Sequence, residues 1–456
     1  MRRKLQELLS GDSLKSRSLR GSALTAVSFA GQNGVRLAGN LILTRILFPE
    51  AFGLMALIQV VVAGMTMFSD LGFRASIIKD KRGTDPLYLD TAWTLQIVRG
   101  VLLCLAIWVV AAPVAKFYEL PELAEMLPVV GLTALIQGFN STKLATVNKA
   151  LQLGRLTMLT LGAQVFGVLA TVALALWLQD VWALVWGGFA APLIIAILSH
   201  VVLPGAPNRL RFETAAARNL IGFGAFIFLA SLANFLSLQA DRAILGKFVT
   251  LEVLALYNIA VFLATVPQKL MAKMVNVVLF PLYAARPPRE SAANVANLAK
   301  ARAMIIMVSM VAVGALAVIG DALVIFLYDD RYAMAGPLLV LIAVAQLPAI
   351  ATANYSTAIL AAGDSRRFAL YIALSASVKT ALFLVGISYF GVIGLTLAPL
   401  IAVLLFYPVS VMLIRPYHIW LPRHDLGFFL ISAVIGAVAV WANWARLIEA
   451  AQVFGV

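Results

Sequence analysis

AMIIMVSMVAVGALAVIGDALVIFL, residues 303–327, runs for 25 residues with a single ionisable side chain, Asp321. An α-helix needs about 20 predominantly apolar residues to cross the hydrocarbon core of a bilayer. This stretch is long enough, and it has many counterparts. Comparable runs lie near 22–43, 50–70, 91–115, 123–142, 156–178 and 181–203, then near 219–240, 252–280, 335–361, 367–389, 392–414 and 426–446. The run 252–280 is long, and Pro267 followed by Lys269 and Lys273 predicts a kink or an amphipathic end there.

Composition carries the same message. Of 456 residues, 62% are hydrophobic and 12% charged, about half the ~25% charge of a soluble domain; the mean hydropathy is +0.95. A soluble core cannot hide that much apolar surface. The expected fold is an all-α polytopic membrane protein, a two-lobed bundle of 12–14 transmembrane helices, 13 by this count of runs. A polar break from Pro204 to Arg218, with Pro207, Arg209, Arg211 and Glu213, divides the series. It predicts six-helix lobes at 22–203 and 219–414 joined by a linker at 204–218, with an amphipathic tail at 1–21 and an extra helix and tail at 415–456. Six is even, so the lobes are expected to be parallel repeats about an axis along the membrane normal. A shift of 202 residues lays Leu43 on Leu245, Arg45 on Lys247, Glu50 on Glu252 and Leu54 on Leu256.

Charge gives the sidedness. Alternate connections, starting with the N-terminus, collect 24 Lys and Arg on one side against 6 on the other. By the positive-inside rule the N-terminus is cytoplasmic. Its stretch Arg2, Arg3, Lys4, Lys15, Arg17 and Arg20 is no signal peptide, because the run that follows contains Gln32, Asn33, Arg36 and Asn40. The opposite connections are short and partly acidic, with Glu119, Glu122 and Glu125 in one and Asp329 and Asp330 in another.

Several function classes are excluded or disfavoured. The net charge of +14 forms no continuous basic stripe, so nucleic acid is not the expected partner. One cysteine, Cys104, and three scattered histidines, His200, His418 and His424, give neither a disulfide framework nor a metal cluster. There is no Walker-type phosphate loop, nucleophile elbow or HExxH, and no carboxylate pair placed for acid–base chemistry. No catalytic residue, metal or cofactor is expected.

Ionisable groups inside the hydrocarbon cost about 2.5–3.5 kcal/mol each and are functional candidates. The interior cations are Arg36, Arg99, Lys269, Lys273 and Lys379; the 21 acidic residues fall in connections or near span ends, Asp70, Asp241 and Asp321 closest. A cationic interior without mid-span carboxylates points to a hydrated cavity for an anionic substrate, and Arg suits phosphate oxygens. The candidate lining is Arg36, Lys379, Arg99 and Lys269, with Gln32, Asn33 and Asn40 beside Arg36 on the first span. Snorkelling to the interface is the second reading of Lys269, Lys273 and Arg99, and helix-packing hydrogen bonds that of Gln32, Asn33 and Asn40. Asp241 and Arg242 read as an ion pair or cap, and Asp70 and Arg45 as structural or gating residues. Gly31, Gly34 and Gly39 read as close-packing or bending positions, and Trp93, Trp108, Trp182, Tyr417 and Trp420 as interfacial belt residues.

Leu43-Thr44-Arg45-Ile46-Leu47-Phe48-Pro49-Glu50-Ala51-Phe52-Gly53 resembles the first loop of the Wzx-type polysaccharide flippases, in the polysaccharide transporter branch of the multidrug/oligosaccharidyl-lipid/polysaccharide exporter superfamily. Ser69-Asp70-Leu71-Gly72-Phe73 and the stretch Thr91 to Gly100, with Gln96 and Arg99, are similar to the next two signatures. Gln239 to Lys247 followed by Leu256-Tyr257-Asn258, and Phe280-Pro281-Leu282-Tyr283, fit the second half. The likeness covers roughly residues 20–415. It implies alternating access in a bacterial inner membrane and transfer of an undecaprenyl-pyrophosphate-linked oligosaccharide for lipopolysaccharide or exopolysaccharide biosynthesis. The diphosphate would sit on basic cavity residues, beside membrane lipids. A polysaccharide polymerase and a chain-length regulator are the implied partners of a monomeric carrier. Three rivals stay open: an exporter of drugs on the same fold, which would want buried carboxylates; a membrane polymerase or ligase, which would want a large external loop; and a non-transporting scaffold, which gives no reason for deep Arg36 and Lys379.

Overall fold

A computed structural model describes residues 14–69, 72–285 and 287–455, with side chains from residue 28 onward except 222–230. Residues 1–13 of the expected tail, and Asp70, lie outside the described residues. All regular structure among the described residues is helical, and the chain forms two compact units, Met1–Leu232 and Ala233–Val456.

The first unit holds α1 (Leu14–Ile46), α2 (Pro49–Phe68), α3 (Phe73–Lys79), α4 (Pro86–Tyr118), α5 (Glu122–Gly138), α6 (Lys143–Lys149), α7 (Leu153–Leu178), α8 (Trp182–Gly187), α9 (Ala190–Val201) and the start of α10 (Thr214–Phe248). Asp85 caps α4, accepting from the Leu87 N–H at 3.1 Å, with Pro86 at the first helical position. α4 and α5 pack almost backbone to backbone: a Cβ on Gly100 would stand 2.9 Å from the Ala134 carbonyl oxygen. Gly39 plays this part between α1 and α7, where a Cβ would come within 2.7 Å of Val168, whereas Gly34 faces open space.

The second unit completes α10 and adds α11 (Leu251–Met274), a π-helical turn at Val275–Leu279, α12 (Phe280–Ala285), α13 (Ala292–Leu327), α14 (Ala335–Thr352), α15 (Tyr355–Ala361), α16 (Ser365–Ile414), α17 (Pro422–Ala442) and α18 (Trp444–Phe454). α14 is its centre, 16 of its 18 residues being buried. α16 is nominally one helix of 50 residues, but Phe390 (φ −135°, ψ 15°) and Gly391 (φ 59°, ψ −151°) are not helical. Gly391 takes a left-handed φ that glycine adopts without a Cβ clash. A Cβ on Gly386 would stand 2.6 Å from the Gly394 carbonyl carbon, where eight residues of unbroken helix would separate them by about 12 Å. The Tyr371 and Phe406 rings, 5.2 Å apart, pair further along. α16 is therefore an antiparallel hairpin whose arms, residues 365–389 and 392–414, coincide with two of the expected runs.

α13 and α17 run parallel. Arg302 meets Asp425 at 2.6 Å near one end and Arg446, just after α17, meets Asp321 at 3.2 Å near the other. Between them a Cβ on Gly314 would lie 3.0 Å from Ile435. Two parallel spans require an odd number of crossings between them, which α14–α15 and the two arms of α16 supply.

The 202-residue repeat reappears as geometry. α1 ends at Ile46 and α2 begins at Pro49; α10 ends at Phe248 and α11 begins at Leu251. The preceding residues Phe48 (φ −75°, ψ 154°) and Thr250 (φ −66°, ψ 158°) share one extended conformation. Leu43 and Leu245 are both buried, as are Leu54 and Leu256.

Within each unit, connections assigned by sequence to the same side share an end. Lys149 Nζ donates to the Asp80 carbonyl at 2.6 Å and Arg82 binds Glu213 at 2.7 Å. In the second unit Arg289 Nε donates to the Pro416 carbonyl at 2.6 Å. The segment 204–218 is fastened to the first unit, with Asn208 Oδ1 accepting from Ser141 Oγ at 2.6 Å and Asp90 Oδ1 from the Arg209 N–H at 2.9 Å. Among the described residues nine helices are long and apolar enough to cross a membrane, or ten with α5 and α6, bent by 55°, taken as one span. That count treats the α16 hairpin as one. The chain is an all-helical multi-pass membrane protein. In the run 252–280, α11 continues through Pro267 to Met274 and passes into the π turn.

Candidate functional site

Gln32, Arg36 and Asn40 succeed one another at intervals of four along α1, which sets them on one stripe. Arg36 is exposed, and the two amides are half-buried. Gln32 Nε2 donates to Ser28 Oγ at 3.0 Å, and Asn33 Nδ2 to the Phe29 carbonyl at 2.8 Å. Gln164 on α7 donates to the Gln32 carbonyl at 2.8 Å, binding the two helices where the stripe begins. A guanidinium between amides on an apolar helix is suited to phosphate oxygens, which accept paired charge-assisted hydrogen bonds.

Arg99 is engaged by protein. Its Nε donates to Ser69 Oγ at 3.1 Å and its Nη2 to the Thr66 carbonyl at 3.0 Å, so it covers a hydroxyl and a carbonyl at the end of α2. A cation there also complements the helix dipole. Gln96, one turn earlier, does likewise for α5, its Nε2 lying 3.1–3.2 Å from the Gln137, Gly138 and Asn140 carbonyls. The signature stretch containing these residues thus fixes two helix ends. Arg45 is exposed in the last turn of α1.

In the second unit, Lys379 on the first arm of α16 donates its ammonium to the Ser237 carbonyl of α10 and lies 5.6 Å from the Phe383 ring. Asp241, one turn after Ser237, accepts from the Tyr257 hydroxyl at 3.0 Å. The Asp241 carboxylate meets the backbone of Arg242 rather than its side chain: Oδ1 accepts from the Arg242 backbone N–H at 2.8 Å, while the Arg242 side chain reaches Gln239 Oε1 at 3.2 Å. Lys269 is exposed on α11 and Lys273 is half-buried. Arg36 and Arg99 therefore belong to one unit, Lys379 and Lys269 to the other.

One buried polar centre was not expected. Arg302 and Asp425, assigned by sequence to connections, are 1% and 0% exposed. Asp425 accepts from Arg302 Nη2 at 2.6 Å, from the Tyr407 hydroxyl at 2.8 Å and from the Tyr355 hydroxyl. Trp420 Nε1 donates to Tyr407 at 3.2 Å, and the Arg302 guanidinium carbon lies 4.9 Å from the Tyr355 ring centre. Tyr417, expected in an interfacial belt, is 5% exposed and donates to Asp364 at 2.7 Å. This centre joins four helices, and its partners are too far apart in sequence for any local pattern to reveal them.

A family model described as "Polysaccharide biosynthesis protein" matches residues 42–337. The lipopolysaccharide biosynthesis protein WzxC of Escherichia coli is 24% identical over 277 residues, 60% of this chain and 55% of that protein. The teichuronic acid biosynthesis protein TuaB of Bacillus subtilis is 24% identical over 394 residues, 81% of this chain and 77% of that one. Among solved structures, the lipid II flippase MurJ in its inward closed conformation superposes with a TM-score of 0.64 at 11% identity, covering 94% of this chain and 100% of that one. At that identity the likeness is one of fold. The match over residues 42–337 places this chain in the polysaccharide biosynthesis protein family.

Proposed function

We propose that the chain is a flippase. It carries a polyprenyl-pyrophosphate-linked oligosaccharide, with undecaprenol as the lipid, across the bacterial inner membrane by alternating access, for O-antigen type surface polysaccharide or exopolysaccharide synthesis. Its N-terminus lies in the cytoplasm, and its spans number thirteen, six to a lobe with α17 in addition. The names of the relatives support the substrate class, and the MurJ-like fold supports the mode of transport.

The observation that carries the reading is the α1 stripe of Gln32, Arg36 and Asn40. It supplies a cation and amides within an apolar bundle, matching a diphosphate attached to sugars. Lys379 is the second diphosphate ligand and would exchange the Ser237 carbonyl for a phosphate oxygen. Arg99 and Lys269 contribute positive potential near the route, while Asp241, Arg242, Asp70 and Arg45 hold or gate the spans. The product passes to a polysaccharide polymerase and its chain-length regulator.

The test is transfer of lipid-linked oligosaccharide in proteoliposomes, scored by glycan exposed at the far leaflet. Arg36→Ala should lower the rate about tenfold to a hundredfold, the loss of one charged hydrogen-bonding partner, with Arg36→Lys between. Wild-type transfer by a normally accumulating Arg36→Ala, Lys379→Ala double variant would overturn the diphosphate site.

A further inference from the structure

α18 turns three faces to three surroundings. Ala450 and Phe454, 0% and 3% exposed, pack on the second unit, with Leu447 half-buried beside them. Trp444 and Ile448, one turn apart, are 60% and 44% exposed, and Ala451 continues their strip. Glu449 and Gln452 are exposed on the next strip round, and Val453 in the last turn lies beyond them. At 100° per residue the exposed apolar strip falls between the packed face and the polar one. A helix surrounded by water has no use for a Trp–Ile strip, and at 11 residues α18 is too short to span. The order protein, hydrocarbon, water is that of a helix lying in the plane of a bilayer interface.

The depth of α18 follows from a separate observation. The two ion pairs between α13 and the α17–α18 segment are set by Arg302 and Asp321, 19 residues apart on one helix. That is a rise of about 28 Å, against a hydrocarbon thickness of about 30 Å. The charges thus stand at the two edges of the apolar layer. Arg446 is the α18 member of the outer pair; it binds Asp321 at 3.2 Å and the Ala333 carbonyl at 3.4 Å. Asn443 donates to the Val318 carbonyl at 3.0 Å where α17 gives way to α18. Trp441, 81% exposed, and Trp444 put two indoles at this level, where tryptophan prefers to sit.

We infer that α18 is an interfacial anchor at the face opposite the basic connections, with lipid as its partner. Trp444 and Ile448 enter the boundary between headgroups and acyl chains, Glu449 and Gln452 face water, and the Arg446–Asp321 pair holds the helix at that depth. The inference is independent of the cargo.

The test uses the full chain with Cys104→Ser and a single fluorophore-bearing cysteine, Ile448→Cys or Gln452→Cys. The vesicles contain phosphatidylethanolamine and phosphatidylglycerol, with iodide on both sides. Iodide should quench position 452 about threefold more than 448, and lipid brominated near the headgroup should show the reverse order. Trp444→Cys repeats the lipid-facing measurement if the first variant does not accumulate. Equal iodide quenching at both positions would place α18 in water and overturn the inference. So would shielding of 448 from both quenchers, which would mean that a protein surface covers the strip.

Discussion

The two units open alike and are held differently. Each begins with a long helix, a reversal of the same backbone conformation and a second helix, 202 residues apart. At the basic ends the resemblance stops. The first unit is tied by half-exposed charges, Arg82 between Asp85 and Glu213, and by neutral hydrogen bonds from Asn208 to the buried Ser141 and Thr142. The second is tied by Arg302, Asp425 and Tyr355 beneath the surface. Exposed ties are individually weak and easily remade, whereas a buried pair is expensive to break because the survivor stays unpaired. A duplicated backbone can therefore keep its turns while its fastenings diverge.

The largest break in this comparison should come from Asp425→Asn. It strands the Arg302 guanidinium and should cost about 3–5 kcal/mol, read as a lowered thermal midpoint of the purified chain. The joint change Arg302→Met, Asp425→Leu should restore much of that loss. A midpoint unmoved by Asp425→Asn would show that the pair does not hold the unit. The reversals offer a smaller effect. Thr250 Oγ1 caps α11 through the Val253 N–H at 3.4 Å, whereas Phe48 has no such oxygen. Thr250→Ala should cost about 1 kcal/mol, and Phe48→Thr should gain up to the same amount. Loss of stability in Phe48→Thr would break the equivalence of the two turns.

The smallest effect is that of acid on the first unit. Asp85 is held below the ordinary carboxylate range chiefly by hydrogen bonds from Arg82. Its contribution is complete above the unfolded pKa of about 3.9 and disappears as pH falls through the lower folded value. Acid should therefore loosen residues 204–213, visible as faster proteolysis there in wild type and little further change in Asp85→Asn.

The spans were legible because an apolar run of bilayer length has few other uses; even the α16 hairpin appeared as two runs. The grouping of the connections at one end of each unit was legible because basic residues gather on alternate connections. The residues that escaped, Arg302 and Asp425, lie where a span passes into a connection, and a charge there reads as solvated. Their partnership spans 123 residues of sequence and has no periodic signature. Lys379 stood out as an interior cation, but its bond to Ser237 required the packing of two helices. Arg99 was legible as unusual; its partners, a hydroxyl and a carbonyl at the end of α2, were not, because carbonyls carry no sequence label.

The hairpin of α16 bears on how the chain enters its membrane. From Thr380 to Ile414 there is no charged residue, and Tyr389 and Phe390 at the turn are 70% and 65% exposed. Arg366 and Arg367 precede the first arm and Arg415 follows the second. Nothing charged at the turn can direct its passage, so the basic flanks, both retained on one side, supply the topological instruction. Charge only at their outer ends suits the two arms to insertion together as one loop.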